Sequence, residues 1–355
     1  MEQSEPGSVG TGLLHTFIHL KTPSKERMVL VKKTLSLLLC LVMVFSVSFA
    51  CAEHSVLRWH SANNDSNPRT LIGHWMADRI KKLTDDLVIE VYANAQLGSS
   101  DEVHSMIAMG ENIASATDAA WFSNMQPGFD IINGPFFTET EEELYKVAET
   151  EWFTQQVAEL EKKGVKILAT NWMDGARYLM STKPVRTPED LKGLKVRVPN
   201  NKVAIDIMNA MGATATPMAL TEVYTALQQG MIDGVENPFS TLYARKCHEV
   251  CDYLSMTGHQ KMLSLFFVST DWFNGLTEEA QAALIQTATE AGEVFSKEMM
   301  PVDNAIALEA FKAAGVEVID DVDVTAFREV TLRVYENWDV ETYNLIQAQL
   351  AAIAE

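Results

Sequence analysis

The chain has 355 residues, close to half of them hydrophobic and a fifth charged, which suits two domains with sizeable cores. Its formal charge is −20, and without residues 1–52 there remain 23 basic and 45 acidic residues. So acidic a surface repels DNA, RNA and anionic membranes, which excludes a nucleic-acid partner, and any anionic solute must find local positive charge.

The first element in chain order is an export signal. Lys32 and Lys33 follow Met28, an apolar stretch runs from about Leu35 to Ala50, and Ala50-Cys51-Ala52 has the small-x-small form of a cleavage site. The stretch is short for a membrane anchor. These features predict a periplasmic chain cleaved after Ala52. Lipidation of Cys51 is a weaker reading, because Ser48 stands where a leucine belongs. Residues 1–27 carry no targeting pattern, so Met1 and Met28 both stand as possible starts.

Beyond residue 52 the apolar spacing alternates between strand and helix. "VLRWHSANN" reads as a short strand running into a polar loop, with His60 in that loop, and "SNPRTLIGHWMADRIKKLTDD" as a helix. "LVIEVYAN" is a strand, "SSDEVHSMIAMG" a helix ended by Gly110, and "NIASAT" a strand. This is the rhythm of a parallel α/β layer. One long acidic helix is expected over "TETEEELYKVAETEWFTQQVAELEKKG", then two separate strands, "VKILAT" and "RYLMST". "TPEDLKGL" is a helix start, and "LKVRVP" an alternating strand that Pro199 ends for want of an N–H. Helices follow near Val203–Met211 and in "TEVYTALQQG", with a strand in "MIDGVENP". The apolar "MLSLFFVST" suits a strand buried on both faces. A strongly helical stretch begins near Leu276, is interrupted at Pro301 and resumes to Ala314. "VEVI" is the last strand, and a helical tail starts near Val324.

Catalytic and metal signatures are missing. There is no Walker loop, nucleophile elbow, H-E-x-x-H or G-x-G-x-x-G, and His54, His60, His74 and His104 do not space like zinc ligands. No cofactor and no enzymatic activity are expected. Cys247 and Cys251 lie four apart, stacked on one face of an expected helix where a disulfide would be strained, so two buried thiols are the simpler reading. The strand "LKVRVP" poses the sharper question. Arg197 is either a solvated charge beside Lys195 or a strand-end guanidinium over a cleft.

Set in order, "LRWHSANN", "QLGSSDEV", "PVRTPEDLKGLKVRVP", "EVYTALQQGMIDGVENP" and "YLSMTGH" resemble the solute receptors of TRAP (tripartite ATP-independent periplasmic) transporters over the whole mature chain. The resemblance implies an α/β, two-lobed Venus-flytrap fold with a long kinked helix spanning both lobes. It places residues 53–174 and 263–302 in one lobe and 175–262 and 303–355 in the other. It implies a monomeric receptor that hands a small organic acid (a hydroxy acid, sugar acid or dicarboxylate) to small and large TRAP membrane subunits. Arg197 matches the family arginine that meets the ligand carboxylate, Arg177 a second pocket arginine, and Asn237 a pocket amide.

The remaining candidates follow from the same resemblance. "TDAAWF" falls where the family places ligand-facing residues. Thr117 replaces a glutamate carried by some receptors of acidic sugars, so that ligand class is not carried over. Asp118 either reads a hydroxyl or amine or caps the next helix. Trp121 and Phe122 either wall the pocket or pack in the core, and Trp121 and Trp172 keep an aromatic acid in play. His60 lies near the cleft. Leu220 stands where some relatives carry an aromatic, and Glu236 is expected to steady an arginine or a lobe contact rather than to touch an anionic ligand. An ABC-type or sensory binding protein, or a periplasmic enzyme on the same scaffold, are the alternatives.

Overall fold

The computed structural model describes residues 54–354; the predicted signal segment and the cleavage site after Ala52 lie outside them. Nine strands form one sheet: β1 (Ser55–His60), β2 (Leu87–Tyr92), β3 (Ile113–Asp118), β4 (Val165–Ser181), β5 (Lys195–Val198), β6 (Thr214–Pro217), β7 (Gly234–Asn237), β8 (Tyr253–Ser269) and β9 (Glu317–Ile319). Their order is β2-β1-β3-β8-β4-β7-β5-β6, with β9 paired to β8.

Two parallel layers meet on two long antiparallel strands. β1, β2 and β3 run parallel and join the end of β8, where Ala114 faces Val268. β5, β6 and β7 run parallel and join the end of β4, where Tyr178 faces Asn237. β4 and β8 therefore pass from one lobe into the other.

The sequence suggested two separate strands where β4 is a single strand of 17 residues. The polar "NWMDG" between them reads as a turn. Repeated register shifts against β8, one of them between Met173 and Gly175, absorb that stretch without ending the ladder. Gly175 sits at φ +91°, a backbone that a side chain resists.

The long helix is continuous from Glu278 to Ala313, with a π-helical turn at Val294–Met299 just before Pro301. A proline ring inside a helix removes one N–H and crowds the preceding turn, and the wider π turn accommodates both. The acidic helix is broken instead. Glu141–Lys146 ends, and Thr150 caps a new helix, Glu151–Lys162, through the Phe153 N–H. "TPEDL" makes only a 3₁₀ turn, Pro188–Leu191.

Four apolar clusters fill the described residues. Trp59, Trp172, Phe266 and Phe295 stack between the first layer and the long helix. Phe122, Phe129, Phe153 and Phe267 fill the opposite face of that layer, joined by Ile346 and Leu350 from the C-terminal helix. Val196, Val198, Ile207 and Phe327 pack one side of the second layer, and Val235, Leu254 and Phe311 the other. The tail thus leaves Phe327 on one lobe and Ile346 on the other. Among the described residues no helix is long and apolar enough to cross a membrane.

Candidate functional site

The parallel strands of both layers end at one cavity of about 770 Å³. Open α/β sheets bind ligands beyond the carboxyl ends of their strands, because the loops there can diverge around a crevice. His60 ends β1, Thr117 and Asp118 end β3, Arg197 is next to last in β5, and Asn237 ends β7. Arg177 enters from β4 as that strand crosses between the lobes, and Trp121 and Leu220 come from the turns after β3 and β6. Eight of the residues singled out in the sequence, His60, Thr117, Asp118, Trp121, Arg177, Arg197, Leu220 and Asn237, line this cavity, whereas Phe122, Trp172 and Glu236 do not.

Arg197 is not a solvated charge. It is 4% exposed, whereas Lys195, on the same side of the strand, is open to solvent. Its Nε and Nη2 both donate to the Met218 carbonyl, at 3.1 and 2.8 Å. Among the described residues no carboxylate lies within ion-pair distance of it. Burial lowers its pKa to about 10, Glu236 opposing and Arg177 adding to the effect. It is therefore a fully charged guanidinium at neutral pH, held by a neutral oxygen alone. A buried charge left in that state is disfavoured by several kcal/mol, on the order of what a partner of opposite sign restores.

Arg177 is already neutralised. It is 5% exposed, and its Nε and Nη2 donate to the two carboxylate oxygens of Glu236, the latter at 2.7 Å. His259 Nε2 lies 3.5 Å from the same carboxylate. Burial pushes the Glu236 pKa up, but Arg177 and His259 outweigh it and leave it at about 2. The Glu236–Arg177 pair is the steadying contact expected of Glu236. It also means that Arg177 offers an incoming anion less than Arg197 does.

The other candidates divide by environment. Asn237 is buried and its Nδ2 donates to nothing among the described residues. Asp118 occupies the cap position of the 3₁₀ turn Ala119–Asn124 but makes no side-chain cap bond, and its Oδ1 has no partner among the described residues. Burial raises its pKa, partly opposed by Arg177. His60 belongs to the strand rather than to the loop expected for it. It is 3% exposed, neither ring nitrogen has a partner among the described residues, and burial lowers its pKa to about 4. Trp121 lines the cavity, whereas Phe122 and Trp172 are core residues.

Arg69, Asp174 and His104 are among the cavity residues that sequence reading missed. Arg69, in the helix Pro68–Ile80, donates to Asp174, to Ser264 Oγ at 3.1 Å and to the Ala116 carbonyl at 2.9 Å. Asp174 lies just before Gly175 on β4. His104, in the helix Ser100–Ala108, reaches Ser115 Oγ through Nε2 at 3.2 Å and packs edge-on against Trp121. Arg69 and His104 sit on helices whose apolar periodicity marks the strand-facing side, and only their polar character at buried positions could have pointed to them.

Cys247 and Cys251 are free and buried, and burial lifts the Cys247 thiol to about 12. The helix expected around them is only a short 3₁₀ turn, Cys247–Glu249. Among the described residues no cluster of three metal-ligating side chains occurs.

Comparison with known proteins places this geometry. The family described as "Bacterial extracellular solute-binding protein, family 7" matches residues 60–341. The 2,3-diketo-L-gulonate-binding periplasmic protein of Escherichia coli is 30% identical over 298 residues, 83% of this chain and 90% of that protein. A TRAP periplasmic solute-binding protein from Ochrobacterium anthropi, solved with bound L-fuconate, is 36% identical with a TM-score of 0.80, covering 84% of this chain and 99% of its own. One from Actinobacillus succinogenes with bound L-galactonate is 31% identical with a TM-score of 0.80, covering 84% and 100%. Two α/β lobes, a continuous helix from Glu278 to Ala313 and a cavity at the strand ends thus agree with sequence likeness over most of the chain, which belongs to the bacterial extracellular solute-binding proteins of family 7, the TRAP-type periplasmic receptors.

Proposed function

We propose that the protein captures a small organic acid between its lobes, with Arg197 as the carboxylate clamp and Asn237 as an added neutral donor. The observation that carries this reading is the buried Arg197 guanidinium, whose acceptor among the described residues is the Met218 carbonyl alone. A guanidinium edge matches two carboxylate oxygens at once and stays charged at every working pH. Arg177, tied to Glu236, sets the local field and the shape of the site. The acids bound to the two solved relatives support a carboxylate-bearing solute.

The rest of the reading follows from family membership. Residues 53–174 and 263–302 form one lobe, and 175–262 and 303–355 the other, with the last helix packed back on the first. The chain is exported and cleaved after Ala52, acts as a monomer without a cofactor, catalyses nothing, and delivers its acid to small and large TRAP membrane subunits. Solute bound by both lobes favours the closed form.

Thermal melts test the clamp. A solute at about a hundred times its dissociation constant adds about 2.7 kcal/mol to stability, which is several degrees for a protein this size. Organic acids are expected to raise the melting temperature while their amides do not. Arg197→Lys is expected to abolish the effect, since it keeps the charge but loses the planar fork. Equal shifts by acids and amides, or an undiminished response in Arg197→Lys, would defeat the clamp.

A further inference from the structure

The charged side chains around the cavity can be matched pair by pair. Arg69 is held by Asp174, whose other oxygen accepts from Ser264 Oγ at 2.6 Å. Arg177 is held by the Glu236 carboxylate through Nε and Nη2, the latter at 2.7 Å. Both pairs are buried, and each is complete in itself. Asp101 stands exposed in the first turn of its helix. His60 and His104 add no charge at neutral pH, since burial lowers the pKa of both. Two charged groups of the lining are then left over, and they have opposite signs. Arg197, 4% exposed, donates among the described residues to the Met218 carbonyl alone. Asp118 keeps a buried Oδ1 without a partner, and among the described residues no cation lies within ion-pair distance of it. Asp118 ends β3 in the first parallel layer, and Arg197 lies next to last in β5 of the second.

We propose that Arg197 and Asp118 are the two poles of one site, Arg197 taking a carboxylate and Asp118 an amine cation, so that the solute is a zwitterion of the amino-acid type.

The argument is one of charge balance. A buried charge is disfavoured until a partner of opposite sign reaches it. A solute with a carboxylate alone answers Arg197 and adds a second negative charge to the cavity that holds Asp118, where like charges repel more strongly than in water. A dicarboxylate adds a third, and Arg69 and Arg177 are already spent on Asp174 and Glu236. A zwitterion meets both poles and leaves the net charge of the cavity unchanged. Burial raises the pKa of Asp118, and Arg177 opposes this only in part. A cation against the carboxylate completes that opposition and restores the ionised form. Donors and acceptors agree with charge. An ionised Asp118 only accepts, and an ammonium only donates. His60, at the end of the neighbouring strand β1, stays neutral and adds an acceptor without adding charge. The acidic pole is also held in place. The turn that follows Asp118 is anchored by Phe122, which is fully buried with its ring 5.0 Å from that of Phe267. A charge fixed in advance costs less to order when the solute binds.

This inference rests on the clamp proposed above, and the test separates the two. Titration calorimetry on the full chain would compare straight-chain amino acids of increasing length, with the amine at the α or the terminal carbon. Each is paired with the acid that carries hydroxyl or hydrogen in place of the amine, and with its own amide. At least one amino acid is expected to bind tenfold or more tightly than its hydroxy acid and its unsubstituted acid, a comparison that needs no variant. Asp118→Asn keeps the shape of the side chain and removes its charge. It is expected to weaken that amino acid at least tenfold and to strengthen the matching hydroxy acid, because the like charge is gone. A hydroxy or unsubstituted acid that binds as tightly as the best amino acid, while Arg197→Lys abolishes both, overturns the zwitterion and leaves the clamp standing. An amide that binds as tightly as its amino acid overturns the clamp and this pairing with it. Equal losses of amino acid and hydroxy acid in Asp118→Asn give Asp118 a structural role and overturn the pairing, as does a panel with no binder at all.

Discussion

The two cavity histidines have a consequence for stability that the cavity arginines do not. His60 titrates near pH 6.5 in an unfolded chain and at about 4 in the folded one. Between those values the unfolded chain binds the extra proton, so stability rises with pH through that window and is lost as pH falls through it. The full difference is about 3 kcal/mol, at roughly 1.4 kcal/mol per pH unit. His104 shifts in the same direction. Urea unfolding at pH 7 and pH 4.5 should show His60→Leu reducing the pH dependence by about 2–3 kcal/mol relative to the parent. A pH dependence identical in both proteins would mean that His60 is hydrated and titrates normally. The residue scale is also where the sequence was read furthest. Arg197 and Asn237 were singled out only through the family resemblance, because the strand pattern by itself reads Arg197 equally as a solvated charge beside Lys195. Arg69, Asp174 and His104 were not, because nothing in a helical or strand period tells a buried, paired charge from an exposed one.

At the scale of elements, order and type were legible and continuity was not. The sequence divides β4 at its polar middle, yet the ladder persists because β8 runs alongside for its whole length and the bulges absorb the mismatch. It joins two acidic helices that Thr150 separates, since a threonine inside a run of good helix formers gives a weak local signal until its side chain is seen to cap. That Pro301 would disturb the long helix was legible from its missing N–H, but the helix runs on through it by way of a π turn that the sequence did not reveal. The long helix also lies unusually close to β4. A Cβ added at Gly292 would sit 2.2 Å from Asn171 Oδ1 and 2.8 Å from Trp172 Cδ1. Neither group yields easily, because Asn171 Nδ2 donates to the Thr289 carbonyl at 2.9 Å and Trp172 Nε1 to that of Ala288 at 3.0 Å. Helix propensity alone would make Gly292→Ala stabilising by about 1 kcal/mol. Overpacking of about 1–3 kcal/mol opposes it and is expected to win. A lower urea midpoint at unchanged slope is the expected result, and a raised midpoint would show that helix and strand part at little cost.

Across the whole molecule, the two lobes touch at more than the crossing strands. The loop after β1 meets the helix Phe239–Ala244 after β7. Asn64 Nδ2 donates to the Ala244 carbonyl at 3.0 Å, Asn67 Nδ2 reaches that of Ser240 at 3.5 Å, and Arg245 donates to Ala62. Asn67 also caps the helix Pro68–Ile80 through the Arg69 N–H at 2.9 Å, which ties this clasp to the helix that carries Arg69. Asn64 and Arg245 do not line the cavity, so they act on the balance between open and closed forms rather than on the solute itself. A hydrogen bond of this kind contributes about 0.5–1.5 kcal/mol. Removing both in Asn64→Ala/Arg245→Ala is therefore expected to lower affinity by roughly 5- to 100-fold where the closed form is the one that binds. The factor should be the same for every solute, because a change in the population of the competent form scales all intrinsic affinities alike. Calorimetry with two acids of unequal affinity measures that factor, and small-angle scattering of the free protein should show a larger radius of gyration in the variant. Unequal factors for the two acids would place these residues in direct recognition, and equal affinity with an unchanged radius would show that the clasp follows closure without contributing to it.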